Sequence, residues 1–346
     1  MPSLSDRRTL ALIVAAVVVI VVIAWLLVRA QDDEPTGPPD ATTQDTTVTQ
    51  PPVAGEIPPE LASVPEWGDF AGAPPPLEPL PGGDIEVTDT SGGDRNVVIS
   101  RPDGSRFADV TISQSGDPMD ARYFDEDGQL ELVIASVRAQ PGPRRRTPAS
   151  GSVSLNVRCR STSRANAGWV IRSFPFRWRL NLRSMPAALR RQGGLQGLRA
   201  AHGTWNANRT HCSSIRDNSR LRFLYMGTTN RPVGRNNVNS VGFGDTARLG
   251  GVCRGSVACT LTWLSSGNRV LESDARFNSR IRGGFSTRQR VGAFDLQSVM
   301  VHEIGHTVGV AHVNSASNVM YPFAKRGDIT ARKLGRGDAL INNSKY

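Results

Sequence analysis

FDLQSVMVHEIGHTVGVAH, residues 294–312, is the stretch that decides how the rest of the chain is read. Asp295 is an N-cap by type, and residues 296–308 hold no proline and keep an apolar face, which predicts a helix through the HEIGH residues. On that helix His302 and His306 stand at i and i+4, about 6 Å apart along the axis, so both imidazoles reach one ion. Glu303, rotated by about 100°, is placed for contact with a water on that ion and poorly placed for joint ligation. Gly309 permits the positive φ with which chains leave helices, and the bend brings His312 round to the pair. Three neutral imidazoles leave the fourth tetrahedral position of Zn²⁺ open, as in a catalytic site and unlike a closed structural one.

Three of the chain's five histidines fall in this motif. Composition alone rarely produces such clustering, and HExxHxxGxxH is far more specific than HExxH alone. His202 shares a helical face with Leu198 and Trp205 and reads as a core residue. His211, beside Cys212, reads as a loop residue.

HEIGHTVGVAH resembles, position for position, the zinc-binding consensus of the metzincin metallopeptidases, and within them the matrixin-like group. NVMYP, residues 318–322, resembles their Met-turn, and NSVGFG (239–244) and ESDARFN (272–278) resemble matrixin-type sheet segments. The likeness runs over residues 176–341. It implies a zincin-like α+β domain: a mixed twisted sheet with helices, an active-site helix and a small C-terminal subdomain. It further implies a zinc endopeptidase with one catalytic Zn²⁺, with His302, His306 and His312 as ligands and Glu303 as general base. Gly309 would form the bend and Met320 an apolar floor under the metal, without ligating it. Tyr321, Pro322 and Phe323 would wall the pocket for the residue after the cut. An extended protein or peptide substrate would pair with an edge strand, for which residues 258–264 are the candidate. The chain departs from the family in three ways: no cysteine stands in a cysteine-switch motif, too few histidines remain for a second, structural zinc, and the tyrosine-ligand signature of astacins is absent. The sequence gives calcium no support.

Working outward, FRWRLNL (176–182) alternates as a strand does, and Pro186 opens helical structure in which Leu195, Leu198, His202 and Trp205 share a face. RLRFLYM (220–226), ACTLTWL (258–264) and VLESDARFN (270–278) read as further strands. The metallopeptidase-like domain is therefore assigned to residues 165–346, preceded by a basic hinge and first strand region at 141–164. Residues 84–140 read as a small β-rich module, with runs at 96–100, 107–113 and 130–137 separated by the turn signals PDG and DEDG. Residues 29–83 are rich in proline, threonine and acid and read as a linker.

Residues 10–28 form an uninterrupted run of 19 apolar residues, long enough to span a bilayer. Arg7 and Arg8 before it and Asp32, Asp33 and Glu34 after it predict a single-pass signal-anchor, with a cytoplasmic tail at 1–9 and all later residues extracytoplasmic. A cleaved signal ending near Ala30 is the alternative, and it leaves a secreted protein. Four cysteines, Cys159, Cys212, Cys253 and Cys259, suit two disulfides among three pairings, of which Cys253 with Cys259 closes a short loop and leaves Cys159 with Cys212.

The net charge of +10 conceals a split, with 8 basic and 23 acidic residues in 1–140 and 33 basic and 8 acidic in 141–346. Arginine supplies nearly all of the positive charge, as in proteins of GC-rich genomes. No recognition helix, zinc finger or aromatic-plus-basic strand accompanies it, which argues against nucleic acid and for anionic envelope polymers facing the basic surface. The split also predicts that residues 84–140 restrain the basic domain until a cut near Arg144–Arg146. Two rival functions are an envelope-anchored binding protein with an inactive zincin-like domain, which the intact Glu303 opposes, and a zinc hydrolase of non-peptide bonds, which the Met-turn opposes.

Overall fold

The computed structural model describes residues 83–90, 93–114, 116–140 and 158–346. The apolar run at 10–28, the linker at 29–82 and most of the basic hinge lie outside the described residues. Among the described residues no helix is long and apolar enough to cross a membrane.

The first five strands, β1 (Ile85–Asp89), β2 (Arg95–Ser100), β3 (Arg106–Ile112), β4 (Pro118–Phe124) and β5 (Leu130–Ala139), form an antiparallel meander. Period-2 burial drives it: Val97, Ile99, Ala108, Val110, Ile112, Ala121 and Tyr123 are buried on one face. Residues 158–164 carry no strand, and the chain next enters β6 (Phe176–Leu180). Two helices follow, α1 (Ala187–Arg191) capped at Pro186 and α2 (Gly194–Asn206) entered through Gly193 at φ 79°. Then come β7 (Phe223–Thr228), β8 (Ser240–Gly244), β9 (Ala258–Ser265) and β10 (Arg269–Asn278). After a short parallel pair, β11 (Phe285–Ser286) with β12 (Phe294–Asp295), α3 spans Leu296–Thr307, β13 Phe323–Ala324 and α4 Arg336–Lys345.

Among the described residues eleven strands make one mixed sheet, ordered β1-β2-β3-β4-β5-β9-β10-β8-β6-β7, with β13 beside β5. The pairs β10–β8, β8–β6 and β6–β7 are parallel, so the right half has the mixed character expected of the α+β domain. Strands β6, β9 and β10 fall close to their expected positions, and β7 overlaps the run at 220–226, starting three residues into it and ending two beyond it.

One expectation is overturned. Residues 258–264 are not an edge: β9 pairs antiparallel with β10 on one side and with β5 on the other, in the register Leu132↔Trp263 to Val137↔Ala258. The reason is apolar. β9 turns Leu261 and Trp263 toward Ile99, Val110, Tyr123 and Ile134 of the meander, and this core is completed by Val252 and Cys253. Leaving that face to water would forfeit roughly 25 cal/mol for each Å² of it. Cys253 is joined to Cys259 and Cys159 to Cys212, so the short-loop pairing is the one formed.

The second core lies under α3 and α2, where Leu198, Trp205, Leu296, Val301, Ile304 and Met320 are all buried. His202 is indeed a core residue. Its ring stacks on Trp178 at 3.9 Å, and burial lowers its pKa to about 3.

Candidate metal centre

Helix α3 begins where Asp295 accepts a bond from the Ser298 N–H at 2.8 Å. Arg332 holds the buried Asp295 carboxylate through two bonds, at 3.0 and 2.5 Å, which fixes the cap. The Trp205 indole N–H donates to the Val301 carbonyl at 2.8 Å, and the Trp169 indole to the His306 carbonyl at 3.1 Å, so the helix cannot rotate without breaking buried bonds. Gly305 allows Met320 to lie close beneath, since a Cβ there would sit 2.1 Å from its sulfur. At Gly309 φ is 76°, and a Cβ would fall 2.1 Å from the Trp169 carbonyl oxygen, so both backbone angle and space demand glycine.

This frame gathers the three imidazoles. His302 Nε2 lies 3.0 Å from His306 Nε2 and 3.1 Å from His312 Nε2. Each Nδ1 faces outward onto an oxygen: His302 onto the Val319 carbonyl at 2.7 Å, His306 onto the Val310 carbonyl at 3.2 Å and His312 onto Asp120 Oδ2 at 3.1 Å. Carbonyl and carboxylate oxygens only accept, so every Nδ1 carries the proton. Burial lowers the pKa of His302 to about 3 and that of His306 well below the ordinary histidine value, which keeps both neutral. Three Nε2 atoms thus converge on one point. They repel one another there unless a cation takes their electron density, and tetrahedral zinc with bonds of about 2.0–2.1 Å sets its nitrogens roughly 3.3 Å apart. The donor set fits zinc.

Glu303, fully buried, lies on the next face of the helix. Its Oε2 accepts from the Thr260 hydroxyl at 2.5 Å, the Val137 N–H lies against the carboxylate, and among the described residues Oε1 has no hydrogen-bond partner. Burial pushes its pKa up to about 8 against those two hydrogen bonds. A cation held by the neighbouring histidines works the other way and favours the carboxylate. Asp120 is buried too, yet its carboxyl stays below the usual range: burial raises it, and the interaction with His312, then the positive charge of Arg122, outweigh that.

Tyr321 and Phe323 line a cavity together with His302, Val137, Val299 and Asn318. Pro322 lines the adjoining hollow, on the side of His312. Sequence reasoning missed Thr260, Asp120 and Val137. Thr260 is one of two threonines in a largely apolar strand, which does not single it out, and nothing in PMDARYF distinguishes Asp120 from other strand acids.

Sheet, helix and bend together define a three-histidine centre of the kind that holds a hydrolytic metal. Residues 253–343 match the family model described as Matrixin, a peptidase family, which covers β9 through α4 and includes all three histidines. No curated protein matches the chain. The match supports a metallopeptidase-type hydrolase over that segment and a zinc-using donor set in the three-histidine group.

Proposed function

We propose that this chain is a zinc-dependent endopeptidase that hydrolyses peptide bonds of extracytoplasmic proteins. The observation that carries the reading is the convergence of three Nε2 atoms, each tautomer fixed by an outward Nδ1–H bond, beside a buried carboxylate with one oxygen unpaired among the described residues. His302, His306 and His312 would hold the ion. Bound there, zinc supplies Lewis acidity, which lowers the pKa of water toward about 7 and polarises the scissile carbonyl. Glu303 takes the proton of the attacking water on its free Oε1 and later gives it to the leaving amine. Thr260 holds the other oxygen, so the carboxylate does not swing. Tyr321 and Phe323 shape the pocket beside His302 for the side chain that follows the cut, and Met320 keeps the underside of the helix dry.

The extracytoplasmic setting is supported by the two disulfides and by the apolar run at 10–28, which would anchor the chain in a membrane with its N-terminus in the cytoplasm. The basic surface would face anionic envelope polymers.

Purified chain should carry one zinc and release peptides slowly from an unfolded protein. Glu303→Ala should keep the zinc, by native mass spectrometry, and release none, whereas His302→Ala should lose both. Proteolysis undiminished in the Glu303 variant would end this assignment.

A further inference from the structure

The strand that covers β9 is placed as a substrate would be. A zinc peptidase binds its substrate extended, main chain to main chain, between a strand on one side and the pocket wall on the other. β5 lies in that position, antiparallel to β9 and parallel to β13, whose Phe323 is part of the pocket wall. Its backbone is bonded on both flanks: the Val257 N–H donates to the Val137 carbonyl at 2.8 Å, and the Arg138 and Gln140 N–H groups donate to the Pro322 and Ala324 carbonyls, each at 2.8 Å.

Val137 marks the centre of the crossing. It lines the cavity shared by His302, Tyr321 and Phe323, and its N–H lies against the Glu303 carboxylate. β4 closes the other side, with the Met119 carbonyl accepting from the Ser136 hydroxyl at 3.3 Å and Asp120 bonded to His312. Under this hairpin Glu303, His302 and His306 are 0%, 3% and 2% exposed, too little for an outside polypeptide to reach them.

We infer that β5 is this chain's own occupant of its peptide-binding groove, and that an external substrate enters only after the β4–β5 hairpin has left. The inference rests on the proposed peptidase reading and adds its regulation. The hairpin's anchor is Arg138, whose buried guanidinium donates to the carbonyls of Pro118, Val252 and Arg254. Opening breaks the bonds to Val252 and Arg254 and exposes the apolar face of β9, so the closed form dominates.

The test locks and loosens the groove in the full chain. Ala139 and Ala324 are register partners across β5 and β13, both partly exposed, so Ala139→Cys with Ala324→Cys forms a reducible lock. Oxidised, the zinc-loaded double variant should cleave unfolded casein at least about tenfold more slowly than after reduction, the change that a shift of roughly 1.4 kcal/mol in the opening equilibrium produces. Arg138→Ala should raise both the cleavage rate and the amide exchange of residues 132–139. A second readout needs no turnover: in the Glu303→Ala background, a fluorescent extended peptide should bind the reduced form and not the oxidised one. Equal cleavage or equal peptide binding in the two redox forms overturns the inference and leaves the peptidase reading intact. Peptide binding that follows the lock, with no cleavage by any form, overturns the peptidase reading instead and keeps the groove assignment.

Discussion

Two regions meet at the imidazole cluster by different routes. Helix α3 and its glycine bend bring His302, His306 and His312 together from within one short segment. The β4–β5 hairpin delivers Asp120 to His312 from 192 residues away and Val137 to Glu303 from the same distant stretch. In the first region each residue is constrained by near neighbours through helical spacing, a cap and one positive φ. In the second, placement follows from a pairing between β5 and β9 that neither strand's sequence specifies alone. The contrast separates what the helix and bend make possible, a metal-holding centre, from what the hairpin adds, an orienting carboxylate and an obstruction.

The sharpest way to break the local half is Gly309→Val. It forces a β-branched residue to φ 76° and drives its Cβ onto the Trp169 carbonyl. Such a change belongs with the exceptional losses, upward of about 4 kcal/mol, and zinc stoichiometry should fall with it. Denaturant unfolding and a metal assay would check both, and a loss under about 1 kcal/mol would show that the bend does not require glycine.

The distant half is sharpened by Asp120→Ala. His312 then loses the acceptor that fixes its tautomer, while His302 and His306 keep backbone carbonyls. Zinc affinity of the closed chain should drop by about 10- to 100-fold, as for other carboxylates that orient a ligating histidine. Competition against a chromophoric chelator measures it. An unchanged affinity would mean that the hairpin obstructs the centre without contributing to it.

This asymmetry explains how much was legible beforehand. The active-site helix, its N-cap Asp295, the bend at Gly309, the core role of His202 and the disulfide loop at Cys253–Cys259 each leave a signature within a few residues. The strands of the meander were legible in part, because β2 and β3 alternate and β5 is an almost continuous buried run, while β1 and β4 mix charged residues among few apolar ones and do not stand out. What could not be read was that β5 would take the free side of β9. The information lies in the match of two apolar faces, Leu261 and Trp263 against Ile99, Val110 and Ile134, and such complementarity has no one-dimensional trace. Asp120 was invisible for the same reason, since its role exists only once that pairing is made.

The smallest expected effect decides what holds the two regions together. The opposite charges of residues 1–140 and 141–346 suggested electrostatic docking, and the structure does contain an ion pair across the join, Arg235 to Glu131 at 3.1 Å. Both side chains are about half exposed, at 48% and 49%, so solvent and salt screen the attraction and the cost of ordering two long side chains offsets much of it. Arg235→Ala should therefore change stability by less than about 0.5 kcal/mol and leave the amide exchange of β5 unaltered at low and high salt. The join instead depends on the β5–β9 ladder and the apolar core behind it, whose burial does not weaken as salt rises. If Arg235→Ala loosened β5, and added salt did the same to the unaltered chain, charge would be the clamp and the apolar account of the closed groove would be wrong.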